Sequence, residues 1–215
     1  MPDTLPDPLV VNSRTADASV DPQFLDRWSP RAFSPEPLDE ATIMSLFEAA
    51  RWAPSSGNEQ PWIYLYATVP EERARFLDIL DESNRIWVKH APMIAFVVAR
   101  LTLARNGKPN RTARFDAGSS WLSLALEARK LGLYAHAMAG FDLNKAYDSL
   151  NVPRDGYEVM AAIAIGKYGD PSQLDERNRG REKPSGRRHV SEFVFRGQLP
   201  TLTSDSTQSP HDSDA

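Results

Sequence analysis

The sequence predicts a single domain built as a layered helix–sheet–helix sandwich, and three observations carry that prediction. Helical apolar spacing alternates along the chain with aliphatic and aromatic runs of strand length, the pattern of helices covering both faces of a sheet. Nothing separates two folding units between about residue 22 and residue 199, and 215 residues suffice for one substantial core. An apolar fraction of 41%, with five Trp and nine Phe, can fill that core.

Residues 1–20, rich in Asp, Pro, Ser and Thr, and residues 201–215 bury too little apolar surface to offset ordering, so both read as loose tails around a domain of residues 21–200. Leu38 to Trp52 places Ile43, Leu46, Phe47 and Ala50 at helical spacing, and Pro54, Ser55 and Ser56 stop the helix. Trp62 to Ala67 suits a buried strand. Glu71 to Asn84 returns to helical spacing through Ala74, Leu77 and Leu80, and Ala91 to Ala99 reads as the second strand. Residues 105–112 form a polar loop punctuated by Gly and Pro. A long helix follows from Ala113 to Leu131, with Ala117, Trp121, Leu124, Ala125, Ala128 and Leu131 on its apolar face and Gly132 as its stop. Leu133 to Met138 reads as a strand entering a Gly140 turn, Asp142 as the cap of a short helix to Leu150, and Val159 to Gly166 as the last strand. The charged extension from Lys167 to Gly186 shows no core pattern. Val190 to Phe195 is apolar again, and a neighbouring subunit is one way to bury it.

Composition narrows the function. Without cysteine the chain has no disulfide, thiolate nucleophile, iron–sulfur centre or cysteine zinc site. A net charge of -4 argues against a nucleic-acid surface, so any anionic ligand must be gripped by local basic residues. Apolar runs fall well short of a membrane span, and the N-terminus lacks the form of a signal peptide; the expected location is cytoplasmic. No GxGxxG follows a strand and no GxxxxGK[ST] occurs. His90, His136, His189 and His211 lack metal-ligand spacing and are expected to be structural or exposed.

Two segments hold polar groups in chemically useful patterns. In an extended Arg27-Trp28-Ser29-Pro30-Arg31, the Arg27, Ser29 and Arg31 side chains share one side and can converge on one anion; the alternative is two solvated arginines beside a serine. Pro54-Ser55-Ser56-Gly57-Asn58-Glu59-Gln60-Pro61-Trp62 is a stiff polar turn that can hydrogen-bond a heterocycle, or an ordinary loop. Arg187 and Arg188 are either a second anion clamp or the charge of a solvated arm.

These segments, in this order, resemble the FMN-dependent nitroreductase family: Arg27, Ser29 and Arg31 in RWSPRAF, then EAARWAPSSGNEQPW, Asn84 in SNRIWVKHAP, the DAG-led helix from Asp116, AMAGFD, AAIAIGKYGDP, and a basic pair before SEFVF. The resemblance covers about residues 22–197. It implies a mixed α+β fold, three layers of helix/sheet/helix with a central, mostly antiparallel sheet, in a homodimer interlocked by exchange of a C-terminal arm, residues 167–197. It further implies that Arg27, Ser29, Arg31 and one or both of Arg187 and Arg188 hold the FMN phosphate, with Trp28 in the same stretch. Pro54, Ser55, Ser56 and Asn58 would come from the other subunit, Asn84 would reach the ring, and Met138, Ala139 and Gly140 would bring backbone to its reactive edge.

The activity implied is hydride transfer from NADH or NADPH through FMN to a small electron-poor acceptor such as a nitroaromatic, quinone or enone, by a ping-pong scheme. The alternative is an FMN protein of the same fold with a different flavin chemistry, dehalogenation or flavin fragmentation, or with little nicotinamide activity. Ala139 stands where some relatives carry an acidic residue or glycine, leaving only backbone to act there.

Overall fold

In a computed structural model, residues 11–200 are described; the tail expected at 201–215 and the first ten residues lie outside them. One sheet of four antiparallel strands runs in the order β1-β2-β4-β3, with β1 at Trp62–Ala67, β2 at Met93–Arg100, β3 at Tyr134–Met138 and β4 at Tyr157–Gly166. Strand β2 is buried almost throughout, and its side chains alternate between two cores. Met93, Ala95 and Val97 meet Ile43 and Leu46 of α2 (Glu40–Arg51) and Leu124 and Ala128 of α5 (Ala113–Lys130). Ile94, Phe96 and Val98 meet the opposite layer, α3 (Pro70–Ile79), α4 (Glu82–Val88) and α6 (Leu143–Ser149). The period-2 alternation of a doubly covered strand thus gives the three layers expected from the sequence. Two shorter helices, α1 (Gln23–Asp26) and α7 (Glu176–Gly180), lie near the chain ends.

Local chemistry sets the boundaries. The Asp39 side chain accepts the Thr42 N–H at the start of α2, and Asp142 accepts the Lys145 N–H at the start of α6. Helix α5 ends as Gly132 takes φ +75, with the Gly132 N–H donating to Arg129 O and the Leu133 N–H to Ala128 O. Leu131 falls outside the buried face and is exposed. Strand β1, expected to be buried, is an edge strand, mostly half-buried with Ile63 exposed.

Two expectations need correction. The single helix from Glu71 to Asn84 is two helices: Leu80 turns extended, bridges Phe141, and leaves Asp81 to begin α4. Leu80 is buried in the same core as Phe76 and Ile79, so apolar spacing continues across a break in the backbone. Asn84 therefore opens α4 rather than ending α3. The extension from Lys167 is also not patternless: Tyr168 bridges Phe33, α7 is capped by Asp175, and Leu174 and Asn178 are buried. Val190, Phe193, Val194 and Phe195 are between 43% and 57% exposed, so within one chain the apolar terminus finds no core.

Candidate functional site

Trp28 and Pro30 point into the domain and are buried, which leaves Arg27, Ser29 and Arg31 half-buried on the other side, as extended spacing requires. They line a cavity of about 290 Å³ together with Arg187, Arg181, Lys183, Arg14 and His136. The Arg27 Nη1 donates to Ser29 Oγ at 3.3 Å. Arg14 is held by three carbonyls, donating to Ser185, Leu25 and Arg27 at 2.7, 2.9 and 2.7 Å. The C-terminal arm is locked on by Glu182, whose carboxylate accepts the backbone N–H of Arg31 and of Ala32 at 2.9 and 2.8 Å.

Burial is the main cause that holds the Arg27, Arg31 and Arg14 guanidinium groups below the usual arginine range, and Arg187 adds repulsion for Arg27 and Arg14. Cations crowded together and partly withdrawn from water gain most from a bound anion. His136 adds no charge: burial pushes it down to about 4, against the opposing Pro30 carbonyl 2.7 Å from Nδ1, and the Trp87 ring packs tilted against it with centroids 4.7 Å apart. Since a carbonyl only accepts, Nδ1 is the protonated nitrogen. Of the basic pair, Arg187 lies on the wall, while Arg188 sits over the Phe193 ring.

A second cavity, of about 450 Å³, shares Arg27, Ser29 and Arg187 and continues along Phe24, Trp121, Leu122, Ala125 and Ala137. Four residues beyond His136, about 13 Å along an extended strand, β3 ends at the Gly140 turn. There the Asn84 Nδ2 donates to Gly140 O at 3.0 Å, as does the Asp81 N–H at 3.1 Å. A Cβ at Gly140 would lie 2.4 Å from Asn84 Nδ2, so glycine is required for this approach. Met138 is buried and Ala139 is exposed.

The turn from Pro54 to Gln60 is pinned elsewhere. Asp116, buried in the first turn of α5, accepts the Ser56 N–H at 3.2 Å and the Thr112 hydroxyl at 3.0 Å. Glu59, also buried, accepts the Ala104 N–H at 2.7 Å and pairs with Arg100 and Arg105 at 3.5 Å, tying the turn to the basic loop. Ser55 Oγ accepts the Gln60 N–H, and Pro54, Ser56 and Asn58 are exposed. At the other end of α5, Arg129 pairs with Asp26 beside Arg27 at 2.7 Å. Asp116 and Arg129 are thirteen residues apart, about 20 Å of helix. One chain therefore joins Arg27, Trp28, Ser29, Arg31 and Arg187, and separately Asn84 with Gly140, but keeps Pro54, Ser55, Ser56 and Asn58 at the far end of α5.

Sequence reasoning missed Arg14, Arg181, Lys183 and His136 on the wall, Glu182 beside it, and Asp116 and Glu59 beneath the polar turn at the far end of α5. Asp116 carried a signal, an acidic residue leading a long helix. Arg14 carried none, lying in a segment read as tail.

Three comparisons bear on this arrangement. The model of the "Nitroreductase family" matches residues 25–86, which span both the arginine segment and the polar turn. A Rhodopseudomonas palustris protein named NADH dehydrogenase/NAD(P)H nitroreductase is 30% identical over 83% of this chain and 94% of its own length. A Streptomyces coelicolor protein of the same name is 28% identical over 71% of this chain and 84% of its own. A crystal structure described as an oxidoreductase containing FMN superposes with a TM-score of 0.84 at 39% identity, covering 88% of this chain and 97% of that one.

Proposed function

Since this chain belongs to the nitroreductase family, we propose that it is an NAD(P)H-dependent oxidoreductase that holds FMN between the arginine cavity and the Gly140 turn and reduces small electron-poor acceptors. The observation that carries the reading is the group of guanidiniums, Arg27, Arg31 and Arg187, around Ser29 in a cavity with no carboxylate on its wall, beside the middle of β3, with Asn84 and exposed backbone at the Gly140 turn beyond it. The residues fit the cofactor. A phosphate monoester carries roughly -1.5 to -2 charges and seeks paired cationic donors, and buried Trp28 on the same wall has an indole N–H without an acceptor.

When bound, FMN supplies the capacity to take up and pass on hydride. The chain's own residues position and tune. Arg27, Ser29, Arg31 and Arg187 anchor the phosphate end; Arg188 is assigned to the arm. Asn84, held by Gly140 O, would meet the ring end, and the backbone at Met138, Ala139 and Gly140 would offer a donor to charge on the reduced ring. Reduced nicotinamide and acceptor use this space in turn, which gives ping-pong kinetics.

Pro54, Ser55, Ser56 and Asn58 complete the site from a second copy, because α5 holds them about 20 Å away within one chain. Phe115, Trp52 and Leu122 expose large apolar surface on or beside α5 and α2, and the side chains of Val190, Phe193, Val194 and Phe195 are uncovered, as a closed twofold dimer requires; Glu182 and Arg14 hold the arm on its own chain as far as Ser185, so the exchange expected for residues 167–197 narrows to its apolar end. Among the described residues no helix is long and apolar enough to cross a membrane, and the cytoplasm is the assigned location.

Denaturing purified protein should release FMN, and NADH or NADPH should bleach the bound flavin without oxygen. A colourless protein that fails to take up added FMN overturns the reading. The dimer arm of the test pairs an Arg27→Ala chain with an Asn58→Ala chain: one site then carries both lesions and the other none, so mixed dimers recover up to about half of normal flavin binding. Recovery no better than the mean of the two impaired homodimers places the whole site within one chain.

A further inference from the structure

The smaller cavity carries more positive charge than one phosphate monoester neutralises. Six cations line it, Arg14, Arg27, Arg31, Arg181, Lys183 and Arg187, and no carboxylate does. The carboxylate beside it, Glu182, is occupied by the backbone N–H groups of Arg31 and Ala32. A bound phosphate of about -2 leaves most of that charge unmatched, with Arg14, Arg27 and Arg31 partly withdrawn from water.

The excess has a definite place. The two cavities meet at Arg27, Ser29 and Arg187, and the larger runs from there along Trp121, Ala125 and Ala137. Arg31, Arg181 and Lys183 line only the smaller cavity. Among the described residues, none of these three side chains makes a hydrogen bond or ion pair. Arg31 is also half out of water; among the charges near it Glu182 attracts it most strongly, Arg181 and Arg177 repel it, and Asp175 attracts it. Solvated surface cations normally sit apart; these converge on one concave wall.

We propose that Arg181 and Lys183, with Arg31 shared between them and the FMN phosphate, form a second phosphomonoester subsite, adjoining the FMN phosphate and filled by a separate ligand. The inference rests on the FMN phosphate occupying the junction at Arg27, Ser29 and Arg187. Two sources supply the chemistry: the 2′-phosphate of NADPH, which would make the enzyme prefer NADPH to NADH, or free inorganic phosphate.

The test uses FMN-loaded protein and an Arg181→Gln/Lys183→Gln double variant; both side chains are exposed, so the fold should tolerate their loss. Flavin content is read first, by absorbance, and judges the FMN reading by itself. Calorimetric titrations then compare adenosine 2′,5′-bisphosphate, adenosine 5′-monophosphate and inorganic phosphate, and steady-state assays compare NADPH with NADH. Losing two charge-assisted contacts should weaken the cognate probe about tenfold or more. With the 2′-phosphate as source, the bisphosphate and the NADPH KM shift while the monophosphate, NADH and flavin content stay fixed. With free phosphate as source, only the inorganic phosphate titration shifts. Arg181→Lys with Lys183→Arg, which keeps the charges, should restore binding in either case. Unchanged affinity for every probe overturns the subsite, and so does loss of FMN in the double variant, which would make these cations part of the flavin's own anchor.

Discussion

The Asp116 carboxylate accepts the Ser56 backbone N–H at 3.2 Å, so the first turn of the long helix holds the polar turn that follows α2. Asp116→Ala removes a buried acceptor serving both Ser56 and Thr112, which should cost about 1–3 kcal/mol. Urea unfolding should show that loss, and flavin titration should show weaker retention because Ser55 to Asn58 no longer keep their position. Full stability in the variant would mean that water replaces the carboxylate at no cost.

Arg27→Ala should weaken flavin binding by about 10- to 100-fold, the effect of a lost charge-assisted contact in a partly desolvated site. Lys108→Ala, on the exposed basic loop, should leave it unchanged. Equal flavin affinity in the two variants removes Arg27 from the phosphate anchor.

Gly140→Ala should displace Asn84, since the new methyl would fall 2.4 Å from its Nδ2 and 3.2 Å from Asp81 Oδ2. The expected result is an altered flavin absorbance spectrum with a stability loss of about 1 kcal/mol from the broken bond to Gly140 O. Asn84→Ala should reproduce the spectral change, and the double variant should add little to either, because both lesions break the same contact. Additive losses would uncouple the two residues.

His136 makes the fold acid-sensitive. An imidazole ordinarily titrates near 6.5, but burial pushes this one to about 4. Between those values the unfolded chain binds a proton that the folded chain refuses, so stability rises with pH through the window and is lost as pH falls, by about 3 kcal/mol at most. His136→Phe keeps a ring against Trp87 and removes the titration. Urea midpoints of flavin-free protein at pH 7 and pH 4.5 should therefore converge in the variant; an unchanged gap assigns the acid sensitivity to other groups.

The layers, all four strands and the caps at Gly132 and Asp142 were legible in the sequence because each rests on local periodicity or on one residue's backbone preference. The break at Leu80 was not, because it is imposed by a bridge to Phe141, sixty-one residues away, while Leu80 remains apolar and buried. The arginine cluster was legible in part. Arg27, Ser29 and Arg31 show their common side through alternation, but Arg14, Arg181 and Lys183 are brought in by hydrogen bonds to distant backbone, such as Arg14 to Ser185 O, that no local pattern encodes. The separation of Asn58 from Arg27 depends on which ends of α5 their neighbours grip, and only coordinates reveal that.

The Glu182 carboxylate reaches back 151 residues to the Arg31 N–H, and Arg14 spans 171 residues to Ser185 O. The anion cavity therefore closes only once Glu182 and Ser185 have been synthesised. A nascent chain ending before Glu182 has all four strands and both cores but lacks Lys183 and Arg187, so cofactor loading awaits the arm. Truncation just before Glu182 should accordingly yield well-folded but flavin-poor protein, with the integrity of the arm reported by colour rather than by solubility.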